Sequence, residues 1–146
     1  MALSDRIALL RDGALEQVAS AREIYAHPAT AYTAQFIGQT NLLQGEVHRN
    51  IVTCGVLRWP VEDPDGPAFF SLRPEAVRLC AGGKRQTHEV KFRGAIRQQV
   101  YSGASELLEV DCGGGQFLRV RIPTLGPLSG EHEFVFSIAD AIRVQE

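Results

Sequence analysis

Two short stretches carry the residue types best suited to recognition chemistry: Arg73-Pro74-Glu75 and Tyr101-Ser102-Gly103-Ala104-Ser105. A guanidinium such as that of Arg73 can hold an oxyanion or a partner carboxylate through two parallel hydrogen bonds. The same three residues also suit a structural role. Pro74 presets a tight turn, while Arg73 and Glu75 pair locally or bond exposed strand amides. In the second stretch the hydroxyls of Tyr101, Ser102 and Ser105, with the amides of a turn, offer an anion site, and an ordinary hairpin loop is the competing reading.

Other chemistry lacks its residues. A phosphate-binding loop needs glycines followed by Lys and Ser or Thr. In Gly82-Gly83-Lys84-Arg85 the earlier glycine is replaced by Arg78 and the hydroxyl by Arg85, which leaves an exposed turn. There is no Gly-x-Ser-x-Gly elbow and no His-Glu-x-x-His helix, so no familiar hydrolytic constellation is present. Cys54, Cys80 and Cys112 contain no Cys-x-x-Cys pair and read as buried free thiols rather than a disulfide frame or zinc site. The four histidines are likewise isolated. Neither a catalytic residue nor a metal or cofactor ligand is assigned.

The chain has 146 residues, 45% apolar, enough for one ordinary core or two very small ones. A net charge of -2 disfavours a nucleic-acid footprint, and Lys84-Arg85 and Arg119/Arg121 are too sparse to reverse that. Trp59, Phe69, Phe70 and Phe92 have no basic surround and read as core or interface residues. With no long apolar run and no secretion signal, a soluble cytoplasmic location is expected.

The elements that must position these residues fall into two groups. Arg6 to Leu10 and Ala14 to Val18 flank Asp12-Gly13, a strong two-residue hairpin signal. Ser20 and Glu23 have the spacing of a capping box, predicting a helix to about Ala26, stopped by His27-Pro28. A second helix over Thr30 to Ile37 buries Tyr32 with Phe36 or Ile37 and ends at Gly38. From Leu42 onward, short β-branched and aromatic runs are cut by Gly, Pro and Asn, the pattern of a small all-β domain. Strands are expected at Leu42 to His48, Ile51 to Leu57, Ala68 to Leu72, Ala76 to Leu79, Glu89 to Tyr101, Glu106 to Asp111, Phe117 to Ile122, Glu133 to Ser137 and Ala141 to Val144. Gly113-Gly114-Gly115 is a turn, and Pro60 to Pro67 a loop.

A faint repeat runs through the β region. Phe70-Ser71-Leu72 and then Glu75-Ala76-Val77-Arg78-Leu79 correspond to Phe136-Ser137-Ile138 and Asp140-Ala141-Ile142-Arg143-Val144. Each unit reads strand, tight acidic turn, strand. Gly45-Glu46-Val47 and Gly94-Ala95-Ile96 begin the two copies, the second being longer by an extra hairpin. Neither copy has apolar surface enough to stand alone, so the halves should pack or interleave into one barrel-like unit. The second copy lacks Arg and Pro at its turn, which favours the structural role for the acidic residue.

Ser4 to Gln17, Glu23-Ile24-Tyr25, Pro28 and Phe36-Ile37-Gly38-Gln39-Thr40-Asn41 together resemble the ATP-binding subunits of bacterial ABC importers just before their accessory domain. Ser71-Leu72-Arg73-Pro74-Glu75 resembles a hallmark of the transport-associated OB-fold (TOBE) domain. The resemblance implies a division at residue 41: residues 1–41 as the end of an ATPase domain with connecting helices, and 42–146 as a mainly β, OB-like barrel or sandwich with regulatory function. It implies a homodimer, a parent ATPase using ATP and Mg at the inner face of the membrane beside a permease, and no catalysis by this portion. Polyamine-type importers are the nearest in the stretch from Phe36 to Leu43 and in the tail, with iron, sulfate, phosphonate and sugar importers left open. The competing class is a small-ligand sensor for an oxyanion or solute, with contacts drawn from Arg73, Glu75, Tyr101, Ser102 and Ser105. Severed from its sheet, the hairpin of Ser4 to Gln17 exposes unpaired amides, so it is expected to be disordered or to pair with another chain.

Overall fold

Apolar alternation sets the inward faces of the long strands. In Ser105–Gly113, for example, Glu106, Leu108 and Val110 point inward while Leu107, Glu109 and Asp111 point outward. The computed structural model describes residues 5–80, 82–83 and 86–146. Lys84 and Arg85, half of the loop weighed above for phosphate binding, lie outside them.

The chain opens with β1 (Ile7–Arg11) and β2 (Ala14–Ala19), joined through Asp12 and Gly13 at φ 52° and 81°. Two consecutive positive φ values make the turn whose twist matches that of paired strands. Helix α1 (Ala21–Ala26) starts where Ser20 Oγ accepts from the Glu23 amide, and α2 (Ala31–Ile37) where Thr30 Oγ1 accepts from that of Thr33. The inward residues of α2 are Thr33 and Ala34, whereas Phe36 is 63% exposed and stacks on Tyr32. This corrects the expected burial of Tyr32 with Phe36 or Ile37. Arg73 lies against this helix, its guanidinium 2.9 Å from Ala34 O.

The hairpin is ordered, which corrects the expectation of disorder, and it is fastened to its own chain. Leu9 is buried, and Gln17 fastens β2 to the interhelical turn by donating to His27 O and accepting from the Ala29 amide. Thr30 Oγ1 donates to Glu16, and the Arg11 guanidinium lies over the Tyr32 ring. Side-chain bonds to its own chain thus anchor the hairpin.

The β region comprises β3 (Asn41–His48), β4 (Ile51–Cys54), β5 (Leu57–Pro60), β6 (Gly66–Leu72), β7 (Arg78–Leu79), β8 (Glu89–Ser102), β9 (Ser105–Gly113), β10 (Gln116–Pro123), β11 (Gly130–Ser137) and β12 (Ile142–Val144). The expected strand from Ile51 to Leu57 is two strands, because Gly55 at φ 60° reverses the chain and sets Trp59 opposite Val52. Trp59-Pro60 is therefore strand rather than loop edge. The expected strand from Ala76 is shortened by a 3-10 turn over Pro74–Ala76.

These strands pair antiparallel, in two five-stranded sheets ordered β12-β6-β3-β4-β5 and β7-β11-β8-β9-β10. Each sheet is four consecutive strands plus the last strand of the other half. After β6, the 3-10 turn carries β7 across to β11; after β11, a second one over Ile138–Asp140 carries β12 across to β6. The halves interleave as the repeat implied, but the second has no extra hairpin; its first three strands are simply longer. Both sheets fill one core, where Trp59 meets Phe70 and Phe136 edge-on at 5.2 and 5.9 Å and Phe92 stacks on Phe134. Cys54 is buried there, while Cys80 and Cys112 are only partly covered. Burial pushes the Cys54 thiol up to about 11, and burial together with Asp111 does the same for Cys112.

Candidate functional site

Leu72 ends β6 in the core, and the extended backbone of Arg73 (φ -68°, ψ 143°) then aims its side chain at the helices before Pro74 begins the 3-10 turn. The last carbonyls of a helix have no intrahelical donor. Here Arg73 supplies the donors for both helices. Its Nη2 and Nε reach Tyr25 O in α1 at 3.1 and 3.4 Å. Its Nη1 reaches Ala34 O, Gly38 O and Gln39 O at 2.9, 3.2 and 2.9 Å, at the end of α2. A cation at the carbonyl pole of two helices is electrostatically favoured as well.

The guanidinium carbon also lies 4.2 Å from the Tyr25 ring centroid, and the Tyr25 hydroxyl donates to Glu75 Oε1. A Cβ at Gly38 would stand 3.3 Å from Tyr25 Cε2 and 3.8 Å from Arg73 Nη1, so the cluster closes over a position where a larger residue has little room. Arg73 is only 8% exposed. Burial pulls its guanidinium below the ordinary value, opposed by Tyr25 and Glu75. The Tyr25 phenol is pushed up to about 12, first by burial and then by the Glu75 carboxylate it bonds.

That shift has a signed consequence. A phenol harder to ionise in the fold than in the unfolded chain contributes stability that is fully present below pH 10 and disappears as pH rises towards about 12. We expect one of the three tyrosines to titrate last in an ultraviolet tyrosinate titration, and Tyr25→Phe to remove that step. If the late step survives the substitution, the bond to Glu75 is not the one that holds the proton.

Arg73 and Glu75 thus come together with Tyr25, but every nitrogen of the guanidinium already donates to a backbone carbonyl. Beside them is a cleft of about 430 Å³ bordered by Tyr25, His27, Ser71, Arg73, Glu75 and Asp140, with the two carboxylates coming from the two crossover turns. The other candidates sit elsewhere. Ser102 and Ser105 flank the turn between β8 and β9, Tyr101 is 68% exposed beside them, and none of the three borders that cleft. Ser105 Oγ accepts from Arg121 Nη1, whose Nη2 donates to Gln39 Oε1. Gln39 thereby links the two groups through Arg121, since its carbonyl accepts from Arg73.

Two contributors were not singled out from sequence. Tyr25 stood within a quoted motif, but its partners are 48 and 50 residues away. The buried side chain of Asn41 clamps β10 by accepting from the Arg119 amide at 2.8 Å and donating to its carbonyl at 2.9 Å. Both belong to runs, Glu23-Ile24-Tyr25 and Gln39-Thr40-Asn41, whose only sequence signal was the resemblance.

Residues 70–134 match the family model of the TOBE domain. The chain is 31% identical, over 97% of its length, to 41% of the spermidine/putrescine import ATP-binding protein PotA of Pseudomonas aeruginosa (strain UCBPP-PA14). It is 32% identical, over 82% of its length, to 31% of the uncharacterized ABC transporter ATP-binding protein YdcT of Escherichia coli (strain K12). The chain spans about two-fifths of the length of the first of these relatives. In fold it is similar to the cytoplasmic molybdate-binding protein ModG in its molybdate-bound form, with a TM-score of 0.59 over 73% of this chain and 96% of that one, at 12% identity. The interleaved OB-like β-unit and the similarity that extends back through the helices and hairpin lead to one assignment: this chain carries a TOBE domain and is related over nearly its whole length to ABC-importer ATP-binding subunits.

Proposed function

We propose that this chain is the regulatory and dimerisation module of the ATP-hydrolysing subunit of an importer, of the polyamine type. The Arg73 cluster carries the reading. It fixes the β-unit to both helices, and Gln17 and Glu16 fix the helices to the hairpin, so the segment related to importer ATPases and the TOBE domain are mechanically one piece. A displacement of the hairpin is then carried into the β-unit rather than absorbed by a flexible linker. On this reading ATP and Mg are handled by the parent subunit, which works beside a membrane permease, and two copies of the β-unit hold a pair of such subunits together while nucleotide opens and closes it. Sedimentation over a wide concentration range tests the dimer. A concentration-dependent monomer–dimer equilibrium is expected, and a single monomeric species throughout would remove the dimerisation half of the proposal.

A further inference from the structure

The outward face of β8, β9 and β10 carries a row in which Gln98, Glu109 and Arg119 are register neighbours, beside a row of Val100, Leu107 and Arg121. Val100 is 46% exposed and Phe117, farther along β10, is 50% exposed. Glu109 and Arg119 are adjacent and opposite in charge, yet among the described residues neither side chain has a hydrogen bond or ion pair. One register position away, Arg97 and Asp111 do pair, at 3.3 Å. Arg119 is also the residue common to three adjoining hollows of about 250–350 Å³, between this face and the segment from Gln35 to Leu42. Its backbone is held on both sides by Asn41. The face is apolar in part, carries one unbonded charge of each sign beside Arg121, whose guanidinium bonds the neutral Ser105 and Gln39, and is clamped through its backbone.

We propose that this face is where a second copy of the chain docks, each Arg119 pairing with Glu109 of the other copy. The inference rests on the dimerisation reading above and assigns its surface. The charge pattern selects this occupant because it is self-complementary. Stack two such sheets about a two-fold axis that runs along the strands midway between β9 and β10. Each position on β10 then faces its own register partner on β9 of the other copy, so Arg119 meets Glu109 twice over. A closed two-fold interface needs this reciprocity. Leu107 and Phe117 supply apolar area around the two pairs, and the clamp from Asn41 lowers the ordering cost at Arg119.

Charge reversal tests the assignment without disturbing the fold, because both side chains lie outside the core. Arg119→Glu confronts two carboxylates across the interface, and Glu109→Arg two guanidiniums. Each variant alone is expected to self-associate at least about tenfold more weakly than the parent chain in sedimentation, since opposed like charges are strongly disfavoured at an interface. An equimolar mixture of the two variants restores both pairs and should associate about as tightly as the parent chain. A parent chain that dimerises while both variants do so equally well, or a mixture that fails to recover, overturns the surface and leaves the dimer standing. A parent chain that is monomeric at every concentration overturns both. Unchanged far-ultraviolet circular dichroism shows that each variant has folded.

Discussion

Arg73→Ala is expected to destabilise this chain by about 3 kcal/mol, lowering the thermal midpoint by about 10 °C for a domain of this size. The side chain is buried and donates to four carbonyls, one in each helix and two just past the end of α2. Hydrogen bonds from a charged donor contribute about 1.5–3 kcal/mol each before water replaces any of them. Water can reach some of those helix ends once the guanidinium is gone, which keeps the total well below the simple sum. The loss should also be uneven. Amide hydrogen exchange is expected to accelerate in α1, α2 and the hairpin while the β core keeps its protection, because Arg73 joins these parts and does not sit in the core. Lysine at this position restores little, since an ammonium cannot fork to carbonyls on two separate helices. A loss below about 1 kcal/mol, or a uniform rise in exchange, would show that the cluster is not what holds the parts together.

Gly45→Ala is expected to cost at least about 3 kcal/mol, at the upper end for overpacking a tight site. A Cβ built there overlaps the Thr53 carbonyl oxygen and lies 2.5 Å from Cys54 Sγ. The backbone of a paired strand cannot withdraw without breaking the β3–β4 register at Glu46↔Thr53. Neither φ is positive here, so the cost is steric and not conformational. The second half provides an internal comparison. Gly94 stands just before the Ala95↔Asp111 pair as Gly45 does before its own, but a Cβ there overlaps the Val110 Cγ1 methyl, with Asp111 O at 3.2 Å. A side chain can change rotamer where a carbonyl cannot. Gly94→Ala should therefore cost less, about 1–3 kcal/mol, as read from urea midpoints. Equal costs at the two sites would mean that the obstacle is not the Thr53 backbone.

These two glycines show where a sequence reading stops. Both were marked as the starts of repeat copies, yet nothing in their neighbourhoods says that another strand's backbone passes where a Cβ would be. The same holds for the division of Ile51–Leu57. A run of β-branched residues reads as one strand, and only the burial of Trp59 opposite Val52 explains why the chain turns at Gly55. Phe36 failed for the opposite reason: helical spacing pairs it with Tyr32 correctly, but spacing cannot tell which face of a short helix meets the rest of the molecule.

Local chemistry by itself determines much of this molecule. The turn at Asp12-Gly13, the caps at Ser20 and Thr30, the glycine turn after Cys112 and most strand positions depend on bonds and torsions within a few residues. The repeat went further and announced two halves that cannot stand apart. What only the tertiary structure decided is how those halves exchange their last strands, and where Arg73 spends its donors. Both depend on partners dozens of positions away, such as β7 on β11 and Arg73 on Tyr25, Ala34 and Gln39. A guanidinium in a motif looks the same whether it awaits an anion or closes the ends of two helices; the difference lies in which carbonyls the fold brings within 3 Å of it, and no spacing along the chain encodes that.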